Sequence, residues 1–275
     1  MATEWDIPDA SSPIKQGDLF FARNTKTGAI AEIRLVITAD CDISQRRFGE
    51  DLASLRVISY LEYVQRIWAM SKWKKARQQE VVQIQEKFNR WRTAKTGKEI
   101  KISEEGVLEW FYRDDAKSIC SALEIPSGDK LEVQVARLKE ALTVSEKATA
   151  EGSMAQLIAF RSILIKEEPA TIRRALMKQA NGDTLPEDIY LFPELPELKI
   201  GPAVIMLREL RALPWTRACL RTSDATAENM FVRIGRLGPA YKYSVSQAFG
   251  ALFTNVGLPD TYRTRCATAR ESCIE

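Results

Sequence analysis

From Leu61 to Thr96 the chain contains neither proline nor glycine. A stretch of this length without a breaker predicts helix rather than strand. Within it, Val81, Ile84, Phe88 and Trp91 recur at spacings of three, four and three, the stripe of an amphipathic helix. Gly97 then ends it. The flanking sequence has a different character. Gly17 to Ala22, Ala29 to Thr38 and Leu52 to Tyr60 are short apolar runs rich in β-branched or aromatic residues, and read as strands. Asn24 to Gly28 is a hairpin loop between the first two. Beyond Asn181-Gly182 the same character returns, in Ile189 to Phe192, Ala203 to Leu207, Ala218 to Leu220 and Phe231 to Ile234. A helix over Tyr241 to Phe253 follows, stopped by Gly257-Leu258-Pro259.

Three strands before the helices cannot bury both faces of a sheet, and four short strands after them meet the same problem. The economical solution joins both chain ends in one sheet or barrel. The fold class expected is therefore α+β: a small, mostly β barrel built from residues 14–60 plus 185–260, with residues 61–184 as a helical insertion domain. Within the insertion, Ser103 followed by Glu104 and Glu105 starts a second helix. Further helices are expected over Lys130 to Thr149, Ser153 to Lys166 and Ala170 to Gln179.

Composition excludes several chemistries. The chain has no histidine, so Ser-His and Cys-His nucleophilic sites are ruled out. Cysteines 41, 120, 219, 266 and 273 form no C-x-x-C pair, so a zinc site is not expected, and their odd number and scattered spacing suit reduced thiols in a cytoplasmic protein. No apolar run is long enough to span a membrane, and Met1 to Pro13 lacks the apolar core of a secretory signal. Glycines 235, 238 and 250 match no dinucleotide or P-loop fingerprint, and no cofactor is expected.

Two features carry chemistry. The first is Asp40-Cys41-Asp42, where an apolar strand gives way to a turn. Two carboxylates there can orient a cation or a partner's basic group. They equally suit side chains that cap turn amides around a small buried thiol. Adjacent carboxylates disfavour a thiolate, which argues against a nucleophilic Cys41. The second is charge. Residues 61–102 carry a net +7 and residues 103–170 a net −5, beneath a whole-chain value of +3. Lys72, Trp73, Lys74, Lys75, Arg77, Arg90 and Arg92 are a candidate nucleic-acid surface, cations for phosphates with an aromatic for bases. Trp91 lies on the apolar stripe and reads as structural, which leaves Trp73 as the aromatic for contact. The alternative is a solvated helix face. Asp114 to Leu142, with a turn at Pro126-Ser127-Gly128, has the outline of a helix-turn-helix. Its second helix is too acidic for a major groove and reads as a plain helical hairpin.

Gln16-Gly17-Asp18-Leu19, Arg34-Leu35-Val36-Ile37-Thr38 and Leu55-Arg56-Val57-Ile58 together resemble the opening strands of MazF/PemK-type toxins. The resemblance covers residues 14–60 and implies an SH3-like barrel. In that family an Arg at the head of the second strand and a nearby hydroxyl residue work in RNA cleavage. Arg34 matches the first position, and Thr38 and Ser59 are the nearest hydroxyls. The family's proline after that Arg is Leu35 here, and the family has neither the Asp-Cys-Asp turn nor the helical insertion. The function expected is a non-catalytic interaction or nucleic-acid-associated subunit of a bacterial or phage system, toxin- or defence-like, with a protein partner. The alternative is a MazF-like endoribonuclease using Arg34, Thr38, Asp40 and Asp42.

Overall fold

The computed structural model describes residues 4–24, 26–98, 101–195, 198, 200–225, 230–254 and 265. It divides into two compact units, Met1–Tyr60 with Leu185–Glu275, and Leu61–Thr184.

The first unit is built on a sheet of eight strands: β1 (Trp5–Asp6), β2 (Asp18–Arg23), β3 (Ile30–Val36), β4 (Asp51–Ser59), β5 (Ile189–Phe192), β6 (Ala203–Pro214), β7 (Ala218–Cys219) and β8 (Phe231–Leu237). Their order is β1-β8-β2-β3-β4-β6-β5, with β7 also beside β8. All pairings are antiparallel except β7 with β8. Both chain ends therefore contribute to one sheet, as the sequence predicts. The sheet is open, and here the expectation of a barrel needs correction: among the described residues no ladder joins β1 to β5. The edge strands β1 and β5 are two and four residues long. Aromatic rings meet instead. Phe192 on β5 lies 5.2 Å from Trp5 on β1, 5.3 Å from Tyr190 and 6.0 Å from Tyr241.

Both faces of β2 are buried, which explains its unbroken apolar sequence. Leu19, Phe21, Ile33, Leu35, Leu55, Val57 and Ile205 make the larger core, against which Tyr241, Val245 and Phe249 of α9 (Pro239–Thr254) pack. Phe20, Val36, Leu52, Leu213 and Phe231 make a smaller one, with Ile43 of the one-turn helix α1 (Asp40–Ser44).

The second unit is helical. A short α2 (Tyr60–Glu62) runs through a π-helical segment, Tyr63–Trp68, into α3 (Ala69–Thr96). It is followed by α4 (Glu104–Arg113), α5 (Ala116–Ala122), α6 (Lys130–Lys147), α7 (Ser153–Ile165) and α8 (Pro169–Gly182). Gly97 ends α3 at φ +64°, a left-handed turn that glycine takes without a Cβ clash. The Ser103 hydroxyl accepts from the Gly106 amide at 3.1 Å and starts α4. Asp115 and Asp129 start α5 and α6 in the same way. Val81, Ile84 and Phe88, three of the four stripe residues, are buried. α3 packs against α4, α6 and α7.

Candidate functional site

Arg34 lies on β3 opposite Phe20 and faces the smaller core. Its side chain is 10% exposed and pairs with Glu32 at 2.7 Å. It also donates to the Ala212 carbonyl at 3.2 Å and lies 5.5 Å from the Phe231 ring centroid. Thr38 is committed to the neighbouring strand, its hydroxyl accepting from the Ala53 amide at 2.7 Å. Ser59 ends β4 and is half-buried. Asp40 accepts from the Gln16 amide at 2.7 Å and from the Lys242 ammonium at 2.8 Å. Burial works against its charge, but Lys242 and the Gln16 amide outweigh this and hold the carboxyl below its usual range. Asp42 is half-buried in the first turn of α1, and Cys41 is exposed. The Asp-Cys-Asp segment thus opens a turn of helix. Asp40 ties the loop before β2 to α9 rather than capping its own turn, and the thiol is not the buried one expected. Arg34, Thr38 and Asp40 each serve a different internal partner.

The predicted basic surface separates into two parts. Lys72 pairs with Asp183 at 2.7 Å and lies over the Trp68 ring, while Trp68 Nε1 donates to the same carboxylate at 3.0 Å. Together they hold Asp183 below the usual carboxylate range. Trp73 is buried, and the Arg77 guanidinium stacks 4.8 Å from its ring centroid. Lys74 and Lys75 are exposed. Fifteen to eighteen residues further along the sequence, Arg90 and Arg92 flank Trp91, which is half-buried and lines two shallow grooves. Trp73, expected as the aromatic for contact, is core; Trp91, expected as structural, is half-buried and borders both grooves.

One cluster carries no sequence motif. Asp18 is fully buried, and the side chains of Arg233 and Arg236 beside it are 2% and 15% exposed. Arg233 donates to the carbonyls of Asp9 and Ser12 at 2.8 Å each, and Arg236 to that of Pro13 at 2.7 Å. The cluster rivets residues 9–13 to the sheet. The available signal was a charged residue opening the run Asp18-Leu19-Phe20-Phe21-Ala22, since a buried carboxylate requires cations.

Burial raises the Cys120 and Cys219 thiols above their ordinary value, so neither is prepared as a nucleophile. Among the described residues no cluster of three potential ligands could hold a metal ion, and no helix is long and apolar enough to cross a membrane. Comparison with protein-family models, curated proteins and solved structures gives no match.

Proposed function

We propose that this protein is a non-catalytic, nucleic-acid-associated subunit of a bacterial or phage system, working with a protein partner. The observation that carries the reading is the commitment of Arg34. A cation that stabilises charge on a cleaved phosphate must be open to it. This guanidinium is occupied by Glu32, the Ala212 carbonyl and the Phe231 ring. Of the other residues considered for cleavage, Thr38 is engaged by a strand amide and Asp40 by Lys242. Support for nucleic-acid association comes from exposed Lys74 and Lys75, and from the cations around Trp91. The toxin- or defence-like setting rests on the resemblance of residues 14–60 to MazF/PemK-type proteins.

The test is incubation of the purified chain with end-labelled single-stranded RNA, without added metal. The expected result is retention at low salt, weakening steeply as salt rises, with the RNA intact. Cleavage that Arg34→Ala abolishes would make the protein a ribonuclease of the toxin type. Absence of binding at low salt would remove the nucleic-acid association.

A further inference from the structure

We infer that Trp91, with the cations on either side of it, forms a stacking site for single-stranded nucleic acid. The inference rests on the nucleic-acid reading above and gives it a place and a strand preference. Trp91 is the common wall of two grooves in the helical unit. One, of about 470 Å³, is lined by Lys87, Arg90, Asp129, Lys130 and Gln134 as well as the indole. The other, of about 500 Å³, is lined by Arg92, Lys95, Trp110 and Glu124 beside the same indole. Five cations thus line the two grooves beside one aromatic; of these Lys95 is paired with Glu124, and Arg90 with Glu86 at 3.6 Å across an exposed helix turn. Two acids also line the grooves. Asp129 accepts from the Leu131 amide at 2.7 Å as the cap of α6, and Glu124 is paired with Lys95.

The indole is held ready. Its Nε1 donates to the Leu123 carbonyl at 3.0 Å, which satisfies its polar edge and fixes the plane of the ring. A ring already ordered loses little freedom when a ligand stacks on it. Trp110, the second aromatic of the second groove, is steadied by an edge contact with Phe88 at 6.2 Å. The geometry selects against duplex. Bases inside a duplex are stacked on one another and offer no free face, whereas every unpaired base offers one. Reading a major groove requires a helix that stands clear of its own fold. This stretch of α3 is instead flanked by Trp110 on one side and by the start of α6 on the other. A strand lying across Trp91 would place phosphates against the cations of both grooves.

The experiment measures anisotropy of a labelled oligothymidylate and of a duplex of equal length, titrated with the full chain at several salt concentrations. The single strand is expected to bind more tightly. Trp91→Ala should weaken single-strand binding by about 5- to 150-fold, the range for removal of one base stack. Trp91→Phe should restore most of it, which a purely structural role for the indole would not predict. Arg90→Ala with Arg92→Ala leaves the indole in place. The pair should flatten the salt dependence by about 0.7 in slope for each phosphate no longer neutralised. Equal binding of both oligonucleotides, unaffected at Trp91, would overturn the stacking site and leave nucleic-acid association standing. Binding of neither at low salt would overturn both.

Discussion

Asp18 is a buried carboxylate at the centre of a charge cluster. It is surrounded by two arginines that also hold the carbonyls of residues 9, 12 and 13. Removing a buried ion's partner leaves an uncompensated charge, so Asp18→Ala should cost about 3–5 kcal/mol. The measurement is the urea midpoint at unchanged m-value; a loss below about 1 kcal/mol would show that water can replace the carboxylate. Asp40 makes a prediction about pH. Its carboxyl is held below the ordinary 3.8, so folding favours its charged form. The stability this supplies is present above that value and is lost as pH falls through the lower, folded-state one. Melting temperatures should therefore fall on acidification below about pH 4, and by less in Asp40→Asn than in the parent chain. The two tryptophans of α3 show where a residue-level reading stops. Trp73 and Trp91 are eighteen residues apart, five turns at 3.6 residues each, and so share one side of a straight helix. Periodicity therefore places Trp73 on the side of the apolar stripe as well, which corrects the reading that set it apart from Trp91. What covers each tells them apart: Trp73 is enclosed, while Trp91 borders open grooves.

At the scale of elements, the helical signals were the plainest. Gly97 and the side-chain caps Ser103, Asp115 and Asp129 are local chemistry: the caps accept from amides two or three residues on, and the Gly97 amide donates to the Thr93 carbonyl four residues back. Ser103→Ala should lower stability by roughly 1 kcal/mol, with α4 fraying first in amide exchange. Unchanged protection of α4 would show that packing alone holds its first turn. Irregularities within elements were not legible. The π-helical turn at Tyr63–Trp68 interrupts a sequence with no breaker. The bulge between β2 and β8 is equally silent. Arg233 and Arg236 are three apart, which in a regular strand puts them on opposite faces. A register shift between Leu19 and Phe20 sets Arg236 opposite Asp18 and Arg233 opposite Phe20, so both turn to the face of Asp18. Nothing in the spacing announces that extra residue.

For the molecule as a whole, β2, β3 and β4 depend on strands more than a hundred residues away, because β8 pairs with β2 and β6 with β4. Residues 1–60 made alone should therefore show no cooperative thermal transition, since both outer strands and both faces would be bare. A cooperative melt of that fragment would show that three strands suffice. The division into β-forming ends and a helical middle was legible in the chain alone, because alternation, breakers and caps are properties of neighbours along it. Composition also excluded histidine chemistry outright. Tertiary packing settled the rest. It left the sheet open where a barrel was expected: among the described residues no ladder joins β1 to β5, and aromatic rings meet there. It closed Arg34 by bringing up Phe231 and Ala212, residues nearly two hundred positions away. Which side chains stay open depends on what folds over them, and partners so distant along the chain leave no periodic mark in it.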